Sequence, residues 1–461
     1  MSRKKTGGAE IRRWKAERRG SRKFAASAGK DRFDEDLALF ERQAREEAGR
    51  KNGNPSGTTL GDRSSGKDVS VLRILVAPSG FKESLEADEV ADRIGAGILR
   101  VLPDAEVLKA PMVDGGEGTT KALVNATGGE LRERTVTGPV GEPVDSFYGF
   151  LGGDGPKTAV IEMAAAAGLS LVPRDVRDPS VTTTYGVGEL IRAALDDGAE
   201  RILVGCGDSG TSDGGAGMAQ ALGVRLLDGE GEEIGRGGGE LSRLAGIDLG
   251  GRDPRLKRVP VDVALNWHNL LCGERGVARV FGPQKGATPE QVEELARALD
   301  RYAEVVESEL GIDIREMPGG GASGGLGAGL HALLGAELHA RYEIVSRYLD
   351  VEGQMEGVDL VFTAEGGIDF QTPRGKIPAE VARRAKEHGL PVVAIVGTVG
   401  KDARINHDYG IDAFVSILQH PSTLEEAIEE APSLVETCAE DVMRLVMIGR
   451  GVAPGERVAV G

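Results

Sequence analysis

Residues 201–217 read RILVGCGDSGTSDGGAG, a short apolar run leading into glycines, hydroxyls and carboxylates. Gly205, Gly207 and Gly210 carry G-x-G-x-x-G spacing, and Asp228 follows about 20 positions on, as in a dinucleotide-binding fingerprint. The residues between the glycines argue otherwise. Asp208, Ser209, Thr211, Ser212 and Asp213 crowd the turn, and carboxylates beside a pyrophosphate repel it unless a cation intervenes. Hydroxyls plus carboxylates at a helix start suit a magnesium–nucleotide or phosphoryl-acceptor site better than a nicotinamide site.

Other segments repeat that chemistry. Ser79 and Lys82 follow the first apolar run, and Lys82 is a compact cation placed either for phosphate or simply at an exposed helix start. In DGGEG, Asp114 and Glu117 bracket paired glycines ahead of a helix expected near Thr119, a pairing suited to magnesium or to a catalytic base. Gln284 and Lys285 precede a helix expected near Pro289. The stretch GGGASGG, with Gly320, Gly324 and Gly325, reads as a backbone-amide cradle for phosphate. Glu365 and Asp369 lie past an apolar run with Gln371, Thr372 and Lys376 close behind. The recurring combination favours phosphoryl transfer, which needs positioning and charge neutralisation above all. The sequence offers no nucleophile elbow, Cys–His pairing or His cluster that would favour hydrolysis.

Loops of this kind need rigid strands behind them. Apolar runs at 69–77, 158–163, 201–204, 358–363 and 391–396 read as strands, each followed by a Gly-rich turn and an amphipathic pattern. Val90, Ile94 and Ile98 mark one such helix, expected to open at Glu83–Ser84. That alternation predicts an α/β fold with largely parallel sheets, in which ligands sit beyond the carboxyl ends of the strands. At 461 residues, two or three domains are expected, and 69 glycines, about 15% against a usual 7%, cluster after the apolar runs.

Residues 1–70 differ from the rest. A basic start (RRWKAERRGSRK) leads to mixed charge, with Leu37, Leu39 and Phe40 able to form one short helix, and then to a polar Gly/Ser-rich stretch. The whole reads as a disordered extension. GDRSSGK at 61–67 has P-loop spacing, but Asp68 replaces the Ser/Thr, and no strand precedes it. A net charge of −17 argues against nucleic-acid binding except through the basic extension. Cys206, Cys272 and Cys438 form neither a disulfide framework nor a zinc pattern, and no apolar run approaches a membrane span. A cytoplasmic location is therefore expected. His331 and His339, eight apart across one presumed helical segment, read as structural.

SGFKESLEADEVA, DGGEGTTKAL, AVIEMAAAAGLSLV, GDSGTSDGGAGMAQALG, LCGERGVARVFGPQKGA, GGGASGGLGAGL and AEGGIDFQTPRGKIPAEVA occur in an order that resembles the type I glycerate kinases from about Val71 to Ile448. The resemblance implies ATP-dependent phosphorylation of D-glycerate, giving 2-phosphoglycerate in most bacterial members and serving organic-acid metabolism. It also implies a Rossmann-like domain from both chain ends (71–135 and 352–450), an inserted α/β domain (136–351) and a tail at 451–461. Carried across, Asp213 or Asp114 becomes the base, with the other helping to hold Mg²⁺. Lys82 and Lys285 neutralise phosphate or carboxylate, and Glu365, Asp369 and Glu117 become metal candidates. Ser79, Ser209, Thr211, Gly320, Gly324, Gly325, Gln371 and Lys376 are expected to contact substrate or phosphate.

The expected partners are ATP, Mg²⁺ and glycerate or a related hydroxy acid, with no membrane; a homodimer is left open. The chain departs from the family where CDVDNPL becomes LNWHNLL, placing Asn266, Trp267 and His268 beside the acceptor segment, and Gly367 stands where a larger residue is usual. A related acceptor, an inactive paralogue and, remotely, a nicotinamide oxidoreductase therefore remain as alternatives.

Overall fold

The structure, a computed structural model, describes residues 71–81, 84–373 and 375–452. The extension 1–70, with its expected helix and the GDRSSGK near miss, lies outside them, as do Lys82 and the tail from 453 onward. The strands are β1 (Arg73–Val76), β2 (Glu106–Lys109), β3 (Glu130–Thr137), β4 (Pro143–Phe150), β5 (Thr158–Glu162), β6 (Arg201–Gly205), β7 (Arg225–Leu227), β8 (Gly246–Asp248), β9 (Val261–Leu265), β10 (Glu337–Ala340), β11 (Leu360–Ile368), β12 (Val392–Val399) and β13 (Ala413–Ser416). The helices used below are α1 (Ala87–Val101), α2 (Thr119–Thr127), α3 (Tyr185–Asp196), α4 (Pro289–Leu310), α5 (Ala322–Gly329), α6 (Arg341–Tyr348), α7 (Ile377–Glu387) and α8 (Leu424–Val452).

A five-stranded sheet, ordered β13-β12-β11-β1-β2, is parallel throughout. A six-stranded sheet, ordered β10-β9-β6-β5-β4-β3, is parallel from β10 to β5 and antiparallel at the β4–β3 edge. All of the second sheet is inserted between β2 and β11 of the first. β5 (TAVIE) and β6 (RILVG) are almost wholly buried, as strands covered on both faces must be. The edge strand β3 (ELRERTVT) instead exposes charge, which discourages pairing with another chain.

Apolar clusters arrange the layers. Ile74, Val76 and Phe362 pack beneath α1 and α8 through Ile94, Val435 and Ala439. On the opposite face, Leu75 and Val361 join Leu123, Ile344, Val345 and Val381 from α2, α6 and α7, and that cluster continues to Val160, Leu203 and Ala264 of the second sheet. The two sheets thus share a middle layer of helices. The far face of the second sheet is covered by α3 and α4, whose Leu190 and Leu299 are fully buried. Thr288 and Gln291 form a reciprocal capping box at the start of α4, with Pro289 in the first turn, so that helix begins where its sequence predicts. Helix α1 begins later than predicted, at Ala87. Phe81 and Leu85 exchange backbone hydrogen bonds at 2.8 and 2.9 Å, closing a turn before the helix can start.

The glycines have a use the spacing did not reveal. A Cβ on Gly205 would lie 2.7 Å from the Gly115 carbonyl oxygen, and one on Gly207 would lie 2.5 Å from the Gly116 Cα. A Cβ on Gly210 would press on Val172 and the Gly168 carbonyl, at 2.8 and 2.9 Å. The fingerprint glycines therefore admit neighbouring backbone. Ser323, Gly324 and Gly325 are consecutive left-handed residues at the start of α5, and a Gly324 Cβ would collide with the Thr211 carbonyl. Gly324→Ala is expected to cost at least about 2 kcal/mol, read as a lower denaturation midpoint, because strain and collision add. An unchanged midpoint would show that this loop moves freely.

Candidate active site

The loop after β2 carries Asp114. Its Oδ1 accepts from the Gly116 amide at 3.1 Å, and Arg341 Nη1 donates to its Oδ2 at 3.3 Å. A Cβ on Gly115 would touch the Ala264 carbonyl at 2.9 Å and the Cys206 amide at 3.1 Å, so the first sheet's loop rests on the ends of β6 and β9. There the exposed Asp208, in a left-handed conformation at φ 48°, accepts from the Glu117 amide at 3.1 Å. Such backbone strain in a non-glycine residue clusters at functional sites. The Ser170 hydroxyl donates to Glu117. Glu86, preceding α1, completes the group: burial raises its pKa first, and the charges of Asp88, Glu117, Asp114 and Asp208 push it further up. The ends of both sheets thus bring Glu86, Asp114, Glu117 and Asp208 together.

Beneath this loop lies Glu162 at the end of β5. It is 3% exposed and accepts from the Thr120 and Gly118 amides at 2.8 and 3.3 Å, tying β5 to the start of α2. Burial is the largest cause that moves its pKa up, from 4.5 to about 7. Between those pH values the folded chain holds a proton that the unfolded chain has released. Stability from this group is therefore full below pH 4.5 and declines as pH rises through 7. The total is about 3 kcal/mol. Glu162→Gln, which has no such titration, is expected to close the stability gap to wild type as pH rises from about 5 to 8. A pH-independent gap in urea melts would contradict this.

A second acidic group sits at the end of β11. Lys376 Nζ lies 3.5 Å from Glu365 Oε1 and donates to the Gly367 carbonyl at 3.4 Å. Glu365 Oε2 is buried without a hydrogen-bond partner among the described residues, and burial raises the Glu365 pKa against the pull of Lys376 and Arg341. Asp369 accepts from the Gln371 amide at 2.8 Å, and its own amide donates to Thr372 Oγ1 at 3.1 Å. Ser79 Oγ donates to the Ala364 carbonyl at 2.9 Å, fastening β1 to β11.

Asp213 and Lys285 lie elsewhere than expected. Asp213 is fully buried and accepts from the Thr184 amide (2.8 Å), the Thr184 hydroxyl (2.9 Å) and the Gly215 and Gly217 amides (3.1 and 3.2 Å). Its oxygens hold the 205–217 loop to the start of α3. Lys285, 3% exposed, donates to Ser209 Oγ at 2.9 Å and the Thr211 carbonyl at 2.5 Å. It stands behind the loop, where burial lowers its pKa to about 7 against the attraction of Asp213. The expected substrate contacts Ser209 and Thr211 are drawn into the same buried support. Gly324 and Gly325 press on Thr211 and Gly214, and a Cβ on Gly320 would meet the Met317 carbonyl at 3.1 Å. Lys82 falls outside the described residues.

The departing segment after β9 forms a turn, with Asn266 Oδ1 accepting from the His268 amide at 3.1 Å and Trp267 exposed. Beside it lies a depression of about 190 Å³ lined by His268, Arg275, Val280 and Phe281, among others. His339 belongs to β10, and no single helix joins it to His331, which lies in the separate turn Leu330–Leu334. The His339 Nε2 is 2.9 Å from Asp262, which also accepts from the Tyr348 hydroxyl at 2.8 Å.

Arg341, Glu86, Asp208 and Glu162 were not among the expected site residues. Asp208 lay within the opening stretch. The others sit at a strand–helix junction, before a helix and at a strand end, where charge is common. Glu86, Asp114, Glu117 and Asp208 supply carboxylate oxygens of the kind Mg²⁺ takes. A Cβ on Gly116 would collide with the Asp208 carboxylate and lie 3.1 Å from that of Asp114, so these two converge on one point of the loop.

Residues 74–447 match the model of the glycerate kinase family. A glycerate kinase of Bacillus subtilis (strain 168) is 48% identical over 379 residues, covering 82% of this chain and 99% of that protein. A glycerate 2-kinase of Escherichia coli (strain K12) is 47% identical over 378 residues, with coverage of 82% and 99%. A crystal structure from Salmonella typhimurium LT2, described as a glycerate kinase 2, superposes with a TM-score of 0.75 at 46% identity, covering 83% of this chain and all of that one. The parallel sheets, the loops at their carboxyl ends and these matches agree: the chain belongs to the glycerate kinase family.

Proposed function

We propose that this chain transfers the γ-phosphoryl group of ATP to a hydroxyl of D-glycerate, forming 2-phosphoglycerate. The convergence of Glu86, Asp114, Glu117 and Asp208 from both sheets carries this reading, because such a site receives a metal-bound polyphosphate at strand ends. The name of the Escherichia coli relative supports the 2-position. Glu86, Glu117 and Asp208 are the residues that would hold Mg²⁺, which neutralises phosphate charge when bound. Asp114 takes the proton from the substrate hydroxyl as that oxygen bonds to the γ-phosphorus. The bond from that phosphorus to the bridging β-phosphate oxygen breaks, and ADP leaves. Arg341 beside Asp114 and Lys376 beside Glu365 supply positive charge. The two sheets define the two domains in this reading, with the substrates held where their loops meet. No helix of the described residues is long and apolar enough to cross a membrane.

The test is ADP release from magnesium-ATP with D-glycerate and a panel of other small hydroxy acids, followed by NMR identification of the product. Preference for another acceptor would assign Asn266, Trp267 and His268 to a changed specificity. Silence with every acceptor would sink the kinase reading, and NADH binding would then favour an oxidoreductase.

A further inference from the structure

Arg341 stands where the chain leaves one sheet for the other. β10 ends at Ala340 in the six-stranded sheet, and the next residues, Tyr342, Ile344 and Val345, are buried in the cluster beneath the five-stranded sheet. Its backbone is therefore fixed at the crossover, while its side chain remains 29% exposed and reaches back to Asp114. That contact is weak for an arginine: one Nη1–Oδ2 approach of 3.3 Å and no paired fork. The guanidinium's charge is also felt at Glu365 in the second loop group. Lys285 is committed to Ser209 and Thr211, and Lys376 to Glu365 and Gly367. A planar cation held by rigid backbone beside one acidic loop, with one donor engaged among the described residues, suits an anion that offers two oxygens at once.

We propose that Arg341 is a catalytic residue that clamps the transferred phosphoryl group, with Asp114 as its partner only while the site is empty. The proposal rests on the kinase reading above. When nucleotide and acceptor occupy the cleft, the guanidinium turns from Asp114 to the phosphoryl oxygens. The turn neutralises charge that grows in the transition state and frees the carboxylate for the acceptor proton. Contact is thus made most strongly during transfer, so its loss falls on kcat more than on KM.

Arg341→Met and Arg341→Lys should be compared with wild type in turnover and in binding of ADP alone and of ADP with aluminium fluoride and D-glycerate. Arg341→Met is expected to lose about 1,000-fold in kcat, keep its KM for glycerate within about 3-fold and bind ADP normally. Its tightening by aluminium fluoride should vanish. Arg341→Lys, a point charge without the fork, should fall between the two. Added guanidinium should restore part of the Arg341→Met rate. The lost ion pair is half-exposed, so the melting temperature should move by no more than about 3 °C.

Turnover within about 5-fold of wild type, or an equal loss of ADP and ADP–aluminium fluoride binding, would overturn the proposal. If Arg341→Met fails to fold, Arg341→Lys decides it: wild-type kcat together with undiminished aluminium fluoride tightening overturns it. A wild-type chain that phosphorylates no acceptor removes the kinase reading and this proposal with it. An active wild type with indifferent variants removes this proposal alone.

Discussion

Asp114→Asn is expected to keep its fold and to lose about 100- to 10,000-fold in turnover, the usual worth of a positioned general base. Asparagine retains the oxygen that accepts from the Gly116 amide at 3.1 Å, so the turn that presents residue 114 survives. The partner it gives up is Arg341 at 3.3 Å, with 29% and 38% of the two side chains exposed. Such a pair contributes at most about 1 kcal/mol. Stability should therefore hold while chemistry fails, a separation that a melting curve and an ADP-release assay make together. The same assay, repeated over a range of magnesium concentrations, distinguishes the two roles that Asp114 could take. A deficit that persists at saturating metal belongs to proton transfer. A deficit that metal repairs moves Asp114 to the ligand set beside Glu117 and Asp208, and near wild-type turnover removes it from the site.

The parallel framework was legible because a strand buried on both faces has to be an almost unbroken apolar run, as in RILV and TAVIE. The strand-end loops were legible for the same reason, since glycines and polar residues follow each run. What each glycine admits was not legible. Gly205 and Gly207 look alike whether a phosphate or the Gly115–Gly116 backbone approaches them, and here it is the backbone. Polarity was equally ambiguous. Thr184, whose amide and hydroxyl hold Asp213, lies 29 positions earlier, and nothing in SGTSDGG announces that partner. Glu86 and Arg341 escaped notice because single charges at helix starts and crossovers are ordinary until the fold brings them to one cleft.

Asp213→Asn tests that division between residues that meet substrate and residues that hold the loop. The carboxylate is fully buried and receives donors from Thr184, Gly215 and Gly217, and its charge is felt at Lys285. Asparagine offers one acceptor oxygen and turns an amine toward backbone amides that are themselves donors. It also leaves the buried Lys285 without a counter-charge. Breaking such a buried arrangement from one side costs about 3–5 kcal/mol, so the urea midpoint should fall steeply. Burial lowers the Lys285 pKa to about 7 while the Asp213 charge pulls it upward, and that attraction gives a second expectation. Combining Asp213→Asn with Lys285→Met should destabilise less than the sum of the single changes, by about 1 kcal/mol or more. A base acting directly on substrate would behave otherwise: turnover would collapse while the urea midpoint stayed at its wild-type value. Additive losses from the pair would show that the two charges do not sense each other. Less-than-additive losses with a lowered midpoint would make Asp213 and Lys285 the internal brace on which the acidic loop is built.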